Sequence, residues 1–169
     1  MADTATYDLI ASQTLASAAA SITFSSIAAS WTDLRLVVTL TSATNTSSPA
    51  MRFNADSGSN YSYTNLRGDG SSAASASNYA RPYAYLVGYS GTATGIPIFA
   101  TADIFSYAGS TYKTFLATGS NDQNGAGGVE QNVGLWKNTA AITSITIILD
   151  SAANFSIGTT AQLYGIKSA

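Results

Sequence analysis

Histidine and cysteine are both absent from this 169-residue chain, and charge of either sign is scarce. Without histidine the commonest general base and metal ligand are missing together, which rules out Ser-His-Asp catalysis and the usual zinc sites. Without cysteine there is neither a disulfide framework nor thiolate chemistry. Seven lysines and arginines stand against nine aspartates and glutamates, a formal net charge of -2. That balance offers no electrostatic grip on phosphate, so nucleic acid is not expected as a partner. Only 9% of residues are charged, against roughly 25% in ordinary globular proteins. A polar surface must then be made of Ser, Thr, Asn, Gly and Tyr, which suits a protein packed against copies of itself or a neighbour. No segment approaches the ~20 apolar residues of a membrane-spanning helix, and the opening MADTATYDLI lacks the basic region and apolar core of a secretory signal.

What is present is alternation. From Val133 to Lys167 three apolar, β-branched runs are separated by small polar breaks. In the middle run Ile145, Ile147 and Leu149 point one way and Ser144 and Thr146 the other, the period of a half-buried strand. Its neighbours, Gln131 to Lys137 and Ala161 to Lys167, are expected to pair beside it as consecutive antiparallel strands. Leu34, Leu36, Val38 and Leu40 form an equally clear stripe, with Asp33, Arg35 and Thr39 opposite and Trp31 at a sheet edge or corner. Weaker strands are expected around Tyr7 to Ala11, at Ile22 and Phe24, and at Met51 and Phe53. The alanine-rich run Ala16 to Ser21 has nothing large to bury and is expected as loop. Ile96 to Phe105, apolar on both faces, is expected as a buried strand with Pro97 at its start, paired to Tyr112 to Thr118 across a turn at Ala108 to Ser110.

Loops are expected at Thr41 to Ser48, at Gly68 to Asn78 and at the glycine-rich Gly119 to Gly128. Asn54 to Tyr63 is expected as a tight turn, because Asn, Asp and Gly tolerate left-handed backbone and bond their own main chain. The chain thus predicts an all-β, antiparallel two-layer β-sandwich of roughly eight to ten strands, residues 1–169 as one domain with a short N-terminal arm.

Candidate chemistry is thin. The spacing Asn54, Asp56, Gly58, Asn60 has the outline of a calcium loop but lacks its closing glutamate, so an Asx turn is expected and no cofactor is implied. Asp122 and Glu130 flank a glycine run without anything to set a glycosidase separation, and solvated loop carboxylates are expected. GDGSS at Gly68 and GAGG at Gly125 lack the lysine and helix of phosphate loops. Tyr79, Tyr83, Tyr85 and Tyr89 are the candidate interface, since tyrosine combines apolar area with a polar tip. A sheet face with wet hydroxyls is the other reading. Trp136, opposite in parity to Val133 and Leu135, is expected in the core. No enzyme is expected.

The phrases SITFSSIAASWTDLRLVV, MRFNADSGSNYS followed by LRGDGSS, TYKTFLATGSN, GLWKNTAAITSITI and LYGIK, in that order from about Ile22 to Lys167, resemble a family of tailed-phage virion structural proteins. The resemblance implies a jelly-roll-like sandwich made in the host cytoplasm and carried on the exterior of the phage head. As a decoration or cement protein it would bridge subunits of the major capsid protein, and by family analogy it would be a homo-oligomer, a trimer. The start at Met1, the end just past the last strand and the lack of a stalk favour the head. The alternative is a tail or fibre component that binds host-surface glycan through aromatic side chains.

Overall fold

The computed structural model describes residues 6–43, 47–88 and 94–167, which form twelve antiparallel strands in two layers. The strands are β1 (Tyr7–Thr14), β2 (Ser21–Phe24), β3 (Asp33–Leu40), β4 (Pro49–Phe53), β5 (Tyr61–Gly68) and β6 (Ala73–Arg81). There follow β7 (Ala84–Tyr85), β8 (Ile98–Ile104), β9 (Lys113–Asn121), β10 (Gly128–Trp136), β11 (Ile145–Leu149) and β12 (Thr160–Ile166). Eight make one sheet in the order β1-β12-β3-β8-β9-β10-β5-β6, and four make the other in the order β2-β11-β4-β7.

Setting aside the pairs β5–β6 and β9–β10 leaves eight strands whose first pairs with the last and so on inward: β1 with β12, β2 with β11, β3 with β8, β4 with β7. That nested pairing is the jelly roll. The two extra pairs lengthen only one of its sheets, which is why the strand count exceeds the eight to ten expected.

The stripes that define the core behave as their alternation demands. Leu34, Leu36, Val38 and Leu40 on β3, and Ile145, Ile147 and Leu149 on β11, are all buried, with Ile22 and Phe24 beside them on β2. The pairing expected for the C-terminal block is different. β10, β11 and β12 are strands, but none pairs with another: β11 lies between β2 and β4, β12 between β1 and β3, and β10 between β9 and β5. In a jelly roll consecutive framework strands cross from one sheet to the other except at the central pair, here β4 and β7, so proximity in sequence does not mean pairing.

Three further expectations change. Ala73 to Asn78, expected as loop, lies in β6, an edge strand whose small residues bury little and therefore show no apolar period. The glycine-rich loop is shorter than expected, because β9 runs to Asn121 and β10 begins at Gly128. β8 is buried on one face alone, with Phe99 left 50% exposed.

Over β10 and β5 the four-stranded sheet presents its two-residue edge strand β7. Under β9, β10 and β5 the inner face is closed by Phe53, Tyr61, Phe115 and Trp136, whose rings meet at centroid distances of 5.5–6.4 Å, and by the chain following β7. Gly134 sits opposite Phe115, and a Cβ there would stand 2.0 Å from its ring. A Cβ on Gly119 would stand 2.0 Å from Cγ2 of Val87. Both glycines are places where a large side chain lies flat on the sheet.

Candidate contact surface

Among the described residues, the outer face of the large sheet is a broad surface that no other part of the chain covers. Alternation along each strand places Leu66, Phe99, Val129 and Val133 there, each between 48% and 62% exposed, among the hydroxyls and amides of Thr64, Ser75, Thr101, Thr118 and Gln131. Tyr79, 75% exposed, stands against Val133 and Leu135 at one end of this row. Apart from Asp33 at the start of β3, the strand residues of this face carry one cation and one anion. These are Arg35 and Asp103, directly opposite one another and 3.2 Å apart. Eight strands about 4.8 Å apart and some seven residues long at about 3.4 Å per residue make a face of about 900 Å². That is close to the ~800 Å² each partner contributes to a standard protein interface.

The tyrosines do not form one surface. Tyr85 is buried and Tyr83 half-buried, and the Arg81 guanidinium donates a 2.6 Å hydrogen bond to each hydroxyl while lying 5.0 and 5.2 Å from the two ring centroids. Tyr85 in turn donates to Asp150, whose other oxygen accepts from the Ser48 N–H. Burial, then its hydrogen bond with the Tyr83 hydroxyl, pushes the Tyr85 phenol well above its ordinary range, so it stays a donor. The aromatic faces that would stack on a ligand are thus occupied by the protein's own cation. Tyr79 is separate and exposed, and Tyr89 lies outside the described residues.

The two candidate carboxylates have different surroundings. Asp122 is exposed beside the 3-10 turn Gln123–Gly125. Glu130 is not a solvated loop residue: it is 2% exposed on the inner face of β10. One of its oxygens accepts from the Asn65 amide at 2.8 Å and the other from the Gly88 N–H at 3.0 Å. Asn132, two residues on, donates to the Leu86 carbonyl at 3.4 Å. The Leu86 and Val87 N–H groups bond the Pro49 carbonyl of β4, and Glu130 and Asn132 supply partners for the Gly88 N–H and the Leu86 carbonyl that this ladder leaves over.

Asp56 turns the expected Asx motif into a clamp. It accepts from the Gly58 N–H, the Asn60 amide and the Trp136 indole at 2.8, 2.9 and 2.7 Å. Burial raises its carboxyl and these bonds outweigh it, leaving the pKa below its ordinary value. Trp136 is fully buried, as its parity predicts. Among the described residues no group of three or more His, Cys, Asp or Glu side chains could hold a metal ion, and no helix is long and apolar enough to cross a membrane.

No family model, no curated protein and no solved structure matches this chain. The arrangement of side chains is therefore the ground for a functional reading. A cleft of about 710 Å³ opens where Phe99 and Val129 meet the turns at Asp69 and Asp122, and a second of about 460 Å³ adjoins it around Leu66, Ala73 and Thr118.

Reading the sequence missed Leu66, Phe99 and Val129 as surface residues. The signal was there in β8: a strand apolar on both faces is buried on both, and here only one face is covered by the chain itself.

Proposed function

We propose that this chain is a structural protein of a tailed-phage virion, a decoration or cement protein that lies on the head exterior in many copies and bridges subunits of the major capsid protein. The observation that carries the reading is the outer face of the eight-stranded sheet, about the size of a standard interface, with exposed Leu66, Phe99, Val129 and Val133 and its central charges paired internally. Such a face costs little to desolvate. The family resemblance of the sequence supplies the virion setting, and the jelly roll fits it.

Quantitative mass spectrometry of purified virions, scaled to the major capsid protein, tests the role. A copy number commensurate with the capsid lattice supports cementing, whereas a handful per particle makes the chain a tail or fibre component. In that second case the cleft beside Phe99 is the place for a glycan, and a glycan array should then show saturable binding that Phe99→Ala removes. On the cementing reading Val133→Lys, at a half-exposed position, leaves folding intact and abolishes retention on heads.

A further inference from the structure

A two-layer sandwich has four sheet edges, and each is a template for another strand unless something blunts it. In the small sheet both edges are short, with four residues in β2 and two in β7. At one end of the large sheet β1 shifts register between Leu9 and Ala11, and its Asp8 is held by Lys167 at 2.6 Å and by the Trp31 indole at 3.2 Å. A bulge and an engaged charge are two of the devices that keep an edge from recruiting a neighbour.

β6, at the other end, has neither over its first six residues. Ala73 to Asn78 pairs with β5 in unbroken register, carries no charge, proline or glycine, and has only a slip after Asn78. That slipped end is tied down, with Ala80 N–H on the Asn78 side chain and Lys137 on the Tyr79 carbonyl. The hairpin closes with the Asp69 N–H on the Ser72 carbonyl. By the alternation of an antiparallel ladder, the main-chain groups of Ala73, Ser75 and Ser77 then point away from β5.

We propose that β6 pairs antiparallel with β6 of a second copy of this chain, about a two-fold axis at Ser75, joining two eight-stranded sheets into one. The strand is complementary to itself. Centring on Ser75 places Ala73 opposite Ser77, Ala74 opposite Ala76 and Ser75 opposite its own copy, so only small uncharged side chains meet. The three outward residues of each copy make on the order of six main-chain hydrogen bonds. Pairing also brings the Leu66 and Val129 regions of the two outer faces toward one surface, in keeping with low charge across the junction. The pairing is independent of any virion role.

Sedimentation equilibrium between about 1 and 100 µM, the range of weak specific association, provides the test. Wild type sediments as a dimer. Ser75→Pro, which removes an outward N–H and no ladder bond to β5, sediments as a monomer that still unfolds in one cooperative transition. Ser75→Lys and Ser75→Glu are each monomeric, and mixing them restores a dimer, because position 75 faces itself only across a two-fold axis. A wild-type monomer, a trimer, a dimeric Ser75→Pro, or a Lys and Glu mixture that stays monomeric overturns the pairing. None of those results touches the copy number on virions, so the two proposals fail separately.

Discussion

The two halves of the eight-stranded sheet solve the same problem differently. Under β1, β12, β3 and β8 the inner face is aliphatic, with Leu34, Leu36, Val38, Leu163, Ala100 and Ile104 buried against the small sheet. Under β9, β10 and β5 it holds Lys113, Asn65, Glu130 and Asn132 as well as aromatic rings. The difference lies in what covers each half: over the second, the edge of the small sheet, with β7 and the Phe53 ring of β4, is joined by the irregular chain after β7 and by turns. Regular strands arrive with their peptide groups already paired, so aliphatic side chains suffice beneath them. Irregular chain brings unpaired N–H and C=O groups, and the face below must supply partners. Gly88 N–H meets Glu130, the Leu86 carbonyl meets Asn132, and the turn carbonyls of Gly109, Thr111 and Thr139 meet the Lys113 ammonium. Burial lowers the pKa of that lysine, and the three carbonyls offset part of its desolvation.

If the halves differ in this way, a charge in the aliphatic half should cost most. Leu36→Asp or Ile147→Asp puts an unpaired carboxylate in a dry core, on the order of 4 kcal/mol or more, and should abolish folding. Far-ultraviolet circular dichroism against temperature checks this, and wild-type melting of either variant would mean the strand faces the other way.

Polar deletion in the second half should cost less and act locally. Glu130→Ala leaves the Asn65 amide and the Gly88 N–H without their acceptor, about 2–3 kcal/mol. Hydrogen exchange should show residues 84–88 losing protection while β3, β11 and β12 keep theirs. Equal loss in both places would mean the halves unfold as one unit and the comparison has no energetic content. Gly119→Ala probes the same cover by volume, since its Cβ must displace Val87, at about 1–3 kcal/mol. The same exchange pattern, without loss of the Glu130 bonds, is the expected signature.

This division also explains what could be read from the sequence. β3 and β11 were legible because an aliphatic half imposes strict alternation on its strands. β6 was not, because Ala and Ser on an edge with little to bury carry no period. Glu130 looked like a loop residue from its glycine neighbours, yet those glycines flank a strand, and a buried carboxylate there follows from a covering segment that sequence cannot locate. The clamp on Asp56 was half legible: its turn followed from Asn, Asp and Gly, while the indole of Trp136, 80 residues away, came from tertiary packing. Partner strands in β10, β11 and β12 were illegible for a topological reason, since alternating crossover hides which strands are neighbours.

The smallest effect belongs to the hairpin that ends the second half. Asp69 Oδ1 accepts from the N–H groups of Ser71 and Ser72 at 2.9 and 2.7 Å and from the Ser71 hydroxyl at 2.8 Å, and Oδ2 accepts from the Ser72 hydroxyl at 3.1 Å. The two backbone bonds first, then the hydroxyls, hold its carboxyl far below the usual range. Because the folded pKa is depressed, the stability it contributes is complete above the unfolded value of about 3.9 and is lost as the pH falls from there toward the folded value. Asp69→Asn, which cannot ionise, should therefore be less stable than wild type by a constant margin above about pH 5, and the margin should shrink below about pH 4. Asp56 titrates in both proteins and cancels in the difference. The residue is exposed, so solvent screens the effect, and hydrogen exchange at Ala74, Ala76 and Asn78, whose N–H groups face β5, is a sharper reading than a melting curve. Loss of protection confined to β5 and β6, with the aliphatic half unchanged at every pH, is the expected result. A margin that is flat from pH 2 to 6 would mean the turn is held by its backbone alone and the carboxylate adds nothing.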